Sequence, residues 1–260
     1  MSTQSGEPLI IAHRGASHDA PENTVAAYKL GWEQGADGAE TDVHITKDGK
    51  LVCMHDDDAE RTAGSLAKIS ETNFDELRKL DVGAWPDDRY VGEQMPTLVE
   101  VLETVPEGKL FYVEIKSGED AASAVPLVKA DIDKSGIKQE QIRIISFSAE
   151  AIKASKEQMP EVSAYLLLYF VRDAATGGWS PTADEVISKL KACDADGVDI
   201  NVVNRVDQSF IDQIKAAGYA YHVWTINSPH VAMRYAGMGV DSITTDRPGF
   251  IKRAIAGMGK

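Results

Sequence analysis

The 260-residue chain carries 41 acidic and 27 basic side chains, a net charge of −14 at pH 7. That balance repels nucleic acid as a class of partner, although a local basic patch could still receive one phosphate group. Its two cysteines, Cys53 and Cys193, form no Cys-x-x-Cys pair and indicate neither zinc nor a disulfide framework. No apolar run approaches the roughly 18 residues of a spanning helix, and the first residues lack a signal-peptide pattern. A soluble, cytoplasmic protein without stable membrane insertion is expected, with its oligomeric state left open.

In chain order, apolar runs at 9–12, 38–43, 110–115, 142–146, 164–168, 197–200, 221–225 and 241–245 read as eight strands. Amphipathic stretches between them, at 24–34, 149–158, 183–192, 208–217 and 230–237, read as helices. Several close on glycine before the next apolar run, as in Lys215-Ala216-Ala217-Gly218, which is a helix C-terminal signal. Alternating strand–helix units imply a parallel sheet with crossover helices. Eight such units in a chain of this length suit one (β/α)8 TIM barrel. The fold class is therefore α/β, a single domain over 1–260, with an open doubly wound sheet as the alternative. Residues 56–96 interrupt the rhythm with Asp, Gly and Pro and one helix over 73–80. They read as a small insertion after the second strand, lying over the barrel mouth without a core of its own.

The chemistry concentrates at strand ends, where barrel enzymes place it. Glu40 and Asp42 stand two apart, so on a strand both carboxylates project from one face. Asp48-Gly49 between apolar flanks is a hairpin signal. A two-residue turn there would pair Lys47 with Lys50, His44 with Cys53 and Asp42 with His55. Glu114 and Lys116 share a parity at another strand end, and His13-Arg14-Gly15 ends the first strand. Three inward carboxylates on neighbouring strands repel unless a cation neutralises them or their pKa values rise. All-oxygen ligation suits a hard divalent cation, Mg²⁺ or Ca²⁺. Arg14 and Lys116 could hold an anion, and His13 and His55 could exchange protons; His18, His44, His222 and His230 read as packed histidines.

The ordered set His13-Arg14-Gly15, Pro21-Glu22-Asn23-Thr24, Glu40-Thr41-Asp42-Val43, His55-Asp56, Glu114-Ile115-Lys116, Val223-Trp224-Thr225-Ile226-Asn227 and Thr245-Asp246-Arg247-Pro248 resembles the glycerophosphodiester phosphodiesterase family. The resemblance spans nearly the whole chain. It implies a TIM-type barrel, a divalent cation, and hydrolysis of glycerophosphodiesters, the deacylated phospholipids, to sn-glycerol 3-phosphate and an alcohol. It further implies Glu40, Asp42 and Glu114 as metal ligands, His13 and His55 as base and acid, and Arg14 and Lys116 as phosphate contacts. Trp224 becomes a wall for the glycerol or head group. After His55-Asp56 the chain departs from the family, with Ala59 where larger apolar residues are common and a shortened loop beyond it.

Several matching residues have two readings. Asn23 or Thr24 could cap a helix or bond into the site, and Glu22 could bind a polar group at the mouth. Phe147 leans structural, and Asp246 reads as a cap for the following segment. Between the histidines, Arg14 and the cation suit His13 to the base, while Asp42 and Asp56 suit His55 to the acid. Two other functions stay open: a phospholipase-like lyase releasing a cyclic phosphate, and a non-catalytic glycerophosphodiester-binding barrel.

Overall fold

A computed structural model of the chain describes residues 6–116, 121–172, 174, 177–202 and 206–257. Among them all eight expected strands form: β1 (Leu9–His13), β2 (Gly38–Ile45), β3 (Leu110–Ile115), β4 (Ile142–Ser146), β5 (Ser163–Leu168), β6 (Gly197–Asn201), β7 (Ala220–Trp224) and β8 (Ser242–Thr245). Each pairs in parallel with its neighbour in sequence, and β1 closes the ring by pairing with both β8 and β2. The fold is a closed TIM barrel. Its outer layer comprises α1 (Val25–Glu33), α2 (Leu98–Leu102), α3 (Ala124–Ser135), α4 (Ala149–Gln158), α5 (Ala183–Cys193), α6 (Gln208–Ala216), α7 (Pro229–Gly237) and α8 (Pro248–Ala256). None of the described helices is long and apolar enough to cross a membrane.

Local chemistry sets the helix starts. Thr24, Ser148 and Asp207 each accept a backbone N–H from the first turn of α1, α4 and α6, and Thr182 with Glu185 forms a reciprocal capping box on α5. Alternation along the strands then sorts the core. Ile10 and Ala12 join the large cluster between strands and helices, whereas Ile11 joins Tyr112, Ile145, Tyr165 and Leu167 inside the ring. His13 registers with Glu40 and Asp42 with Glu114. The interior parity that starts at Ile11 and Tyr112 therefore carries His13, Glu40, Asp42 and Glu114 to the C-terminal rim.

The hairpin after β2 forms with a different register from the one expected. Leu51–Cys53 pairs antiparallel with β2 as Val43↔Cys53, His44↔Val52 and Ile45↔Leu51. The Thr46 N–H donates to Lys50 O, and the Gly49 N–H donates to Thr46 O, so three residues, not two, make the turn. Gly49 takes φ 77°, the left-handed position of a three-residue hairpin. The pairing slips by one: Met54, not His55, donates its N–H to Asp42 O. His55 lies beyond the strand.

The segment 56–96 also differs from expectation, because it does pack a small core. Ala59, Ile69, Leu77, Val82 and Met95 bury themselves with Val52 and Met54 of the hairpin. The helix expected over 73–80 is shortened to Phe74–Leu77, and Asp48 of the hairpin turn accepts the Phe74 N–H at 2.8 Å. Hairpin and insertion are thereby tied together.

Candidate active site

The turn after β1 begins the site. Arg14 and Gly15 both adopt positive φ, 55° and 83°. A Cβ at Gly15 would lie 2.6 Å from Ala27 C, so only glycine lets this turn pack against α1. The turn aims the Arg14 N–H at Glu40, whose Oε2 accepts it at 2.9 Å.

Glu40, Asp42 and Glu114 each offer an oxygen within 4.8 Å of the others. Burial, then the charges of Asp42 and Glu114, push Glu40 well above the ordinary carboxylate range. Burial and Asp42 push Glu114 up to about 7. Asp42 moves the other way. Burial opposes its charge, yet Lys116 Nζ and Arg14 Nε, both 3.1 Å away, and His55 hold it well below its usual value. Lys116 also lies 3.0 Å from Glu114. Glu40 Oε1 is buried with no hydrogen-bond partner among the described residues. A desolvated acceptor beside two more carboxylates fits a hard cation held through oxygen.

Each histidine is tethered through Nδ1 to its own carboxylate. His13 Nδ1 is 2.6 Å from Asp246 Oδ1, and Asp246 also accepts from Ser17 and Asn227. Against the effect of burial, His13, Asn227 and Ser17 hold Asp246 down at about 2. His55 Nδ1 is 2.7 Å from Asp56 Oδ1, while Asp56 Oδ2 accepts from Arg61 at 2.6 Å. Arg61 makes a two-pronged bond to Glu22, and Glu22 accepts from Arg14 at 3.0 Å. Burial lowers the His55 pKa; Asp42 works against it, and Arg14 and Lys116 work with it. His44 supports the same segment, its Nε2 standing 3.2 Å from His55 O.

His13, Arg14, Glu40, His55, Glu114 and Lys116 line a small cavity that opens to solvent at the end of the barrel. Opposite the charged side stands an aromatic wall. Phe147 stacks on Tyr169 at 4.8 Å between centroids, and Trp224 meets Tyr169 edge-on at 5.3 Å. Asp199 on β6 joins that side, pushed up to about 8 by burial first and the Glu114 charge second. A charged rim with paired acid–base groups and an apolar wall can hold an anionic centre and transfer protons around it.

The structure brings all eight sequence-derived site residues, His13, Arg14, Glu40, Asp42, His55, Glu114, Lys116 and Trp224, to one end of the barrel. It also resolves the double readings. Thr24 is the cap, whereas Asn23 donates to Asp42 Oδ2 at 2.9 Å and accepts from Tyr28 and Thr41. Phe147 lines the cavity. Asp246 does not cap α8; it tethers His13. A carboxylate partner does not set His55 apart from His13, which has its own in Asp246, and burial lowers the His55 pKa. Sequence reasoning missed Arg61 and Asp199. Arg61 stands six residues after His55 with no periodic signal, and Asp199 is hidden in an apolar run, where its interior parity with Trp224 is the one available clue.

Comparison with known proteins agrees with this architecture. The model of the Glycerophosphoryl diester phosphodiesterase family matches residues 13–250. The chain is 32% identical over 243 residues to the glycerophosphodiester phosphodiesterase of Caldanaerobacter subterraneus subsp. tengcongensis, covering 92% of this chain and 94% of that one. It is 29% identical over 254 residues to the enzyme of that name from Bacillus subtilis, covering 92% and 84%. Among solved structures, an Oleispira antarctica phosphodiesterase in complex with the product sn-glycerol-3-phosphate superposes with a TM-score of 0.85 at 30% identity, covering 98% of this chain and 100% of that one.

Proposed function

This chain belongs to the glycerophosphoryl diester phosphodiesterase family and is a glycerophosphodiester phosphodiesterase; from that premise we propose how it works and what it releases. Its substrate is a small glycerophosphodiester, cleaved by water to sn-glycerol 3-phosphate and an alcohol. Glu40, Asp42 and Glu114 would hold a divalent cation, Mg²⁺ or Ca²⁺, and the observation that carries this reading is their convergence in one largely buried cluster beside two tethered histidines. The product bound by the Oleispira antarctica relative supports the same product here.

When bound, the cation supplies Lewis-acid polarisation of a non-bridging phosphate oxygen. Arg14 and Lys116, fixed at 3.1 Å from Asp42, face the charge that builds on the phosphoryl group and stabilise it. One histidine takes the proton of the nucleophile, water or the glycerol 2-hydroxyl, and the other donates to the departing alkoxide. His13, oriented through Nδ1 by Asp246, takes the part of the acid because the surroundings of His55 fit the base. Burial first, and then the Arg14 and Lys116 cations, disfavour a proton on His55 against the pull of Asp42 and of an Asp56 shared with Arg61, which suits His55 to the base. This reverses the roles expected from the sequence. The aromatic wall of Trp224 supports the organic part of the substrate. Residues 1–260 act as one unit, with 56–96 an insertion that steadies His55. The unpaired, buried Cys53 and Cys193 support a reducing, cytoplasmic setting.

Phosphorus NMR of the reaction with glycerophosphocholine tests the proposal. It gains support if glycerol 3-phosphate accumulates as the final product. Accumulation of a cyclic glycerophosphate instead would make the chain a lyase, and binding without turnover would make it a binding barrel.

A further inference from the structure

Beyond the cation cluster, the histidines, Arg14 and Lys116, one more carboxyl lines the cavity: Asp199 on β6. It is 2% exposed, and its Oδ1 has no hydrogen-bond partner among the described residues. Its register neighbours are Leu167 on β5, which lines the same cavity, and His222 on β7, which does not line it and whose Nδ1 is engaged by Ser242 while Nε2 has no partner among the described residues. One further step up β7 on the same parity is Trp224, whose Nε1 is likewise buried and unpartnered. Two residues that line one cavity thus carry, among the described residues, an unpaired carboxyl oxygen and an unpaired N–H donor. Buried polar groups left this way are costly, so their presence at a binding cavity calls for a ligand that satisfies both. A hydroxyl does so, because it donates and accepts at once.

We propose that Asp199, with Trp224 Nε1, is the specificity-determining subsite for a free hydroxyl of the substrate's glycerol moiety. This rests on the phosphodiesterase reading above. The glycerol half is preferred over the leaving alcohol for a positional reason. Asp199 is buried deep in the wall and feels the charge of Glu114, whereas Tyr169 at the outer edge is 53% exposed. The enclosed end suits the half of the substrate that never varies, and the open end suits the half that does. Burial favours the neutral carboxyl, which can donate as well as accept.

The test compares glycerophosphocholine with ethyl phosphocholine, which keeps the phosphate and choline but lacks the glycerol hydroxyls. The readout is the ratio of kcat/KM for the two diesters. Asp199→Leu is expected to lower that ratio by about tenfold or more, while Asp199→Asn, which keeps hydrogen-bonding atoms, holds it within about threefold of the parent. An unchanged ratio in Asp199→Leu overturns the proposal. A second measurement, calorimetric affinity for glycerol 3-phosphate against inorganic phosphate, stands apart from turnover. Asp199→Leu should weaken glycerol 3-phosphate alone; equal weakening of both ligands would mark a merely structural residue and overturn the subsite. If the parent enzyme hydrolyses neither diester, the proposed reaction fails, and the subsite is judged by this affinity difference.

Discussion

At the residue scale, His13 and His55 line one cavity, each tied to an aspartate, and what distinguishes the two pairs is what else each aspartate holds. Asp246 spends its remaining capacity on the neutral donors Ser17 and Asn227, whereas Asp56 is also gripped by the Arg61 guanidinium. A substrate with a very good leaving group, such as a nitrophenyl ester of glycerol phosphate, does not need the acid. His13→Ala should therefore lose far less rate on that ester than on glycerophosphocholine, by about two orders of magnitude, whereas His55→Ala should be crippled on both. Steady-state kinetics on the two substrates decides it, and preferential rescue of His55→Ala would restore the opposite assignment. The titratable residues themselves were legible in the sequence because strand parity and the family-like motifs both select them. Their partners were not. Asp246 is 233 residues from His13, and the capping geometry that a strand-end Asp suggests is indistinguishable in sequence from a tether.

At the scale of elements, the eight strands were readable almost to the residue, because interior strands of a barrel are short apolar runs between helix caps and glycines. The hairpin register was not. Asp48-Gly49 suits a two-residue turn or the last two positions of a three-residue one, and one added residue moves every partner along by one. Gly49→Val is expected to cost roughly 1–2 kcal/mol, since a β-branched side chain resists φ 77° even though nothing crowds the position. A chemical-denaturation midpoint equal to that of the parent would contradict this. Arg61 joins the insertion to the barrel through Asp56 and Glu22. Arg61→Ala should lower kcat on glycerophosphocholine by about tenfold or more while leaving the thermal midpoint nearly unchanged, because a half-exposed ion pair contributes only about 0–1 kcal/mol. Unaltered kcat would remove the role given to this link. Among the helices, α2, α3 and α8 lie outside the stretches read from the sequence, and in α2 five residues are too few for a period to show.

Across the whole molecule, the carboxylate cluster is expected to make stability depend on both pH and cation. Glu40 and Glu114 bind protons in the folded state at pH values where the unfolded chain has released them, so each lowers stability as pH rises. For Glu114 the window runs from its unfolded value of 4.5 to about 7. Asp42 acts in the opposite sense: its stabilisation is present above 3.8 and is lost on acidification. In metal-free protein the calorimetric midpoint should therefore fall between about pH 5 and pH 8, and Glu114→Gln should flatten that fall. Saturating Mg²⁺ or Ca²⁺ should raise the midpoint most at the upper end, by mass action on the ionised cluster. An identical pH slope in parent and Glu114→Gln would show that the cluster is not its source. The central claim, that Glu40, Asp42 and Glu114 hold the cation on which hydrolysis depends, is tested most directly by the rate of glycerol 3-phosphate release from glycerophosphocholine in protein stripped of metal and checked by elemental analysis. Turnover should vanish on stripping, return on addition of Mg²⁺ or Ca²⁺, and fail to return in folded Asp42→Asn; full activity in the verified metal-free protein would contradict the account.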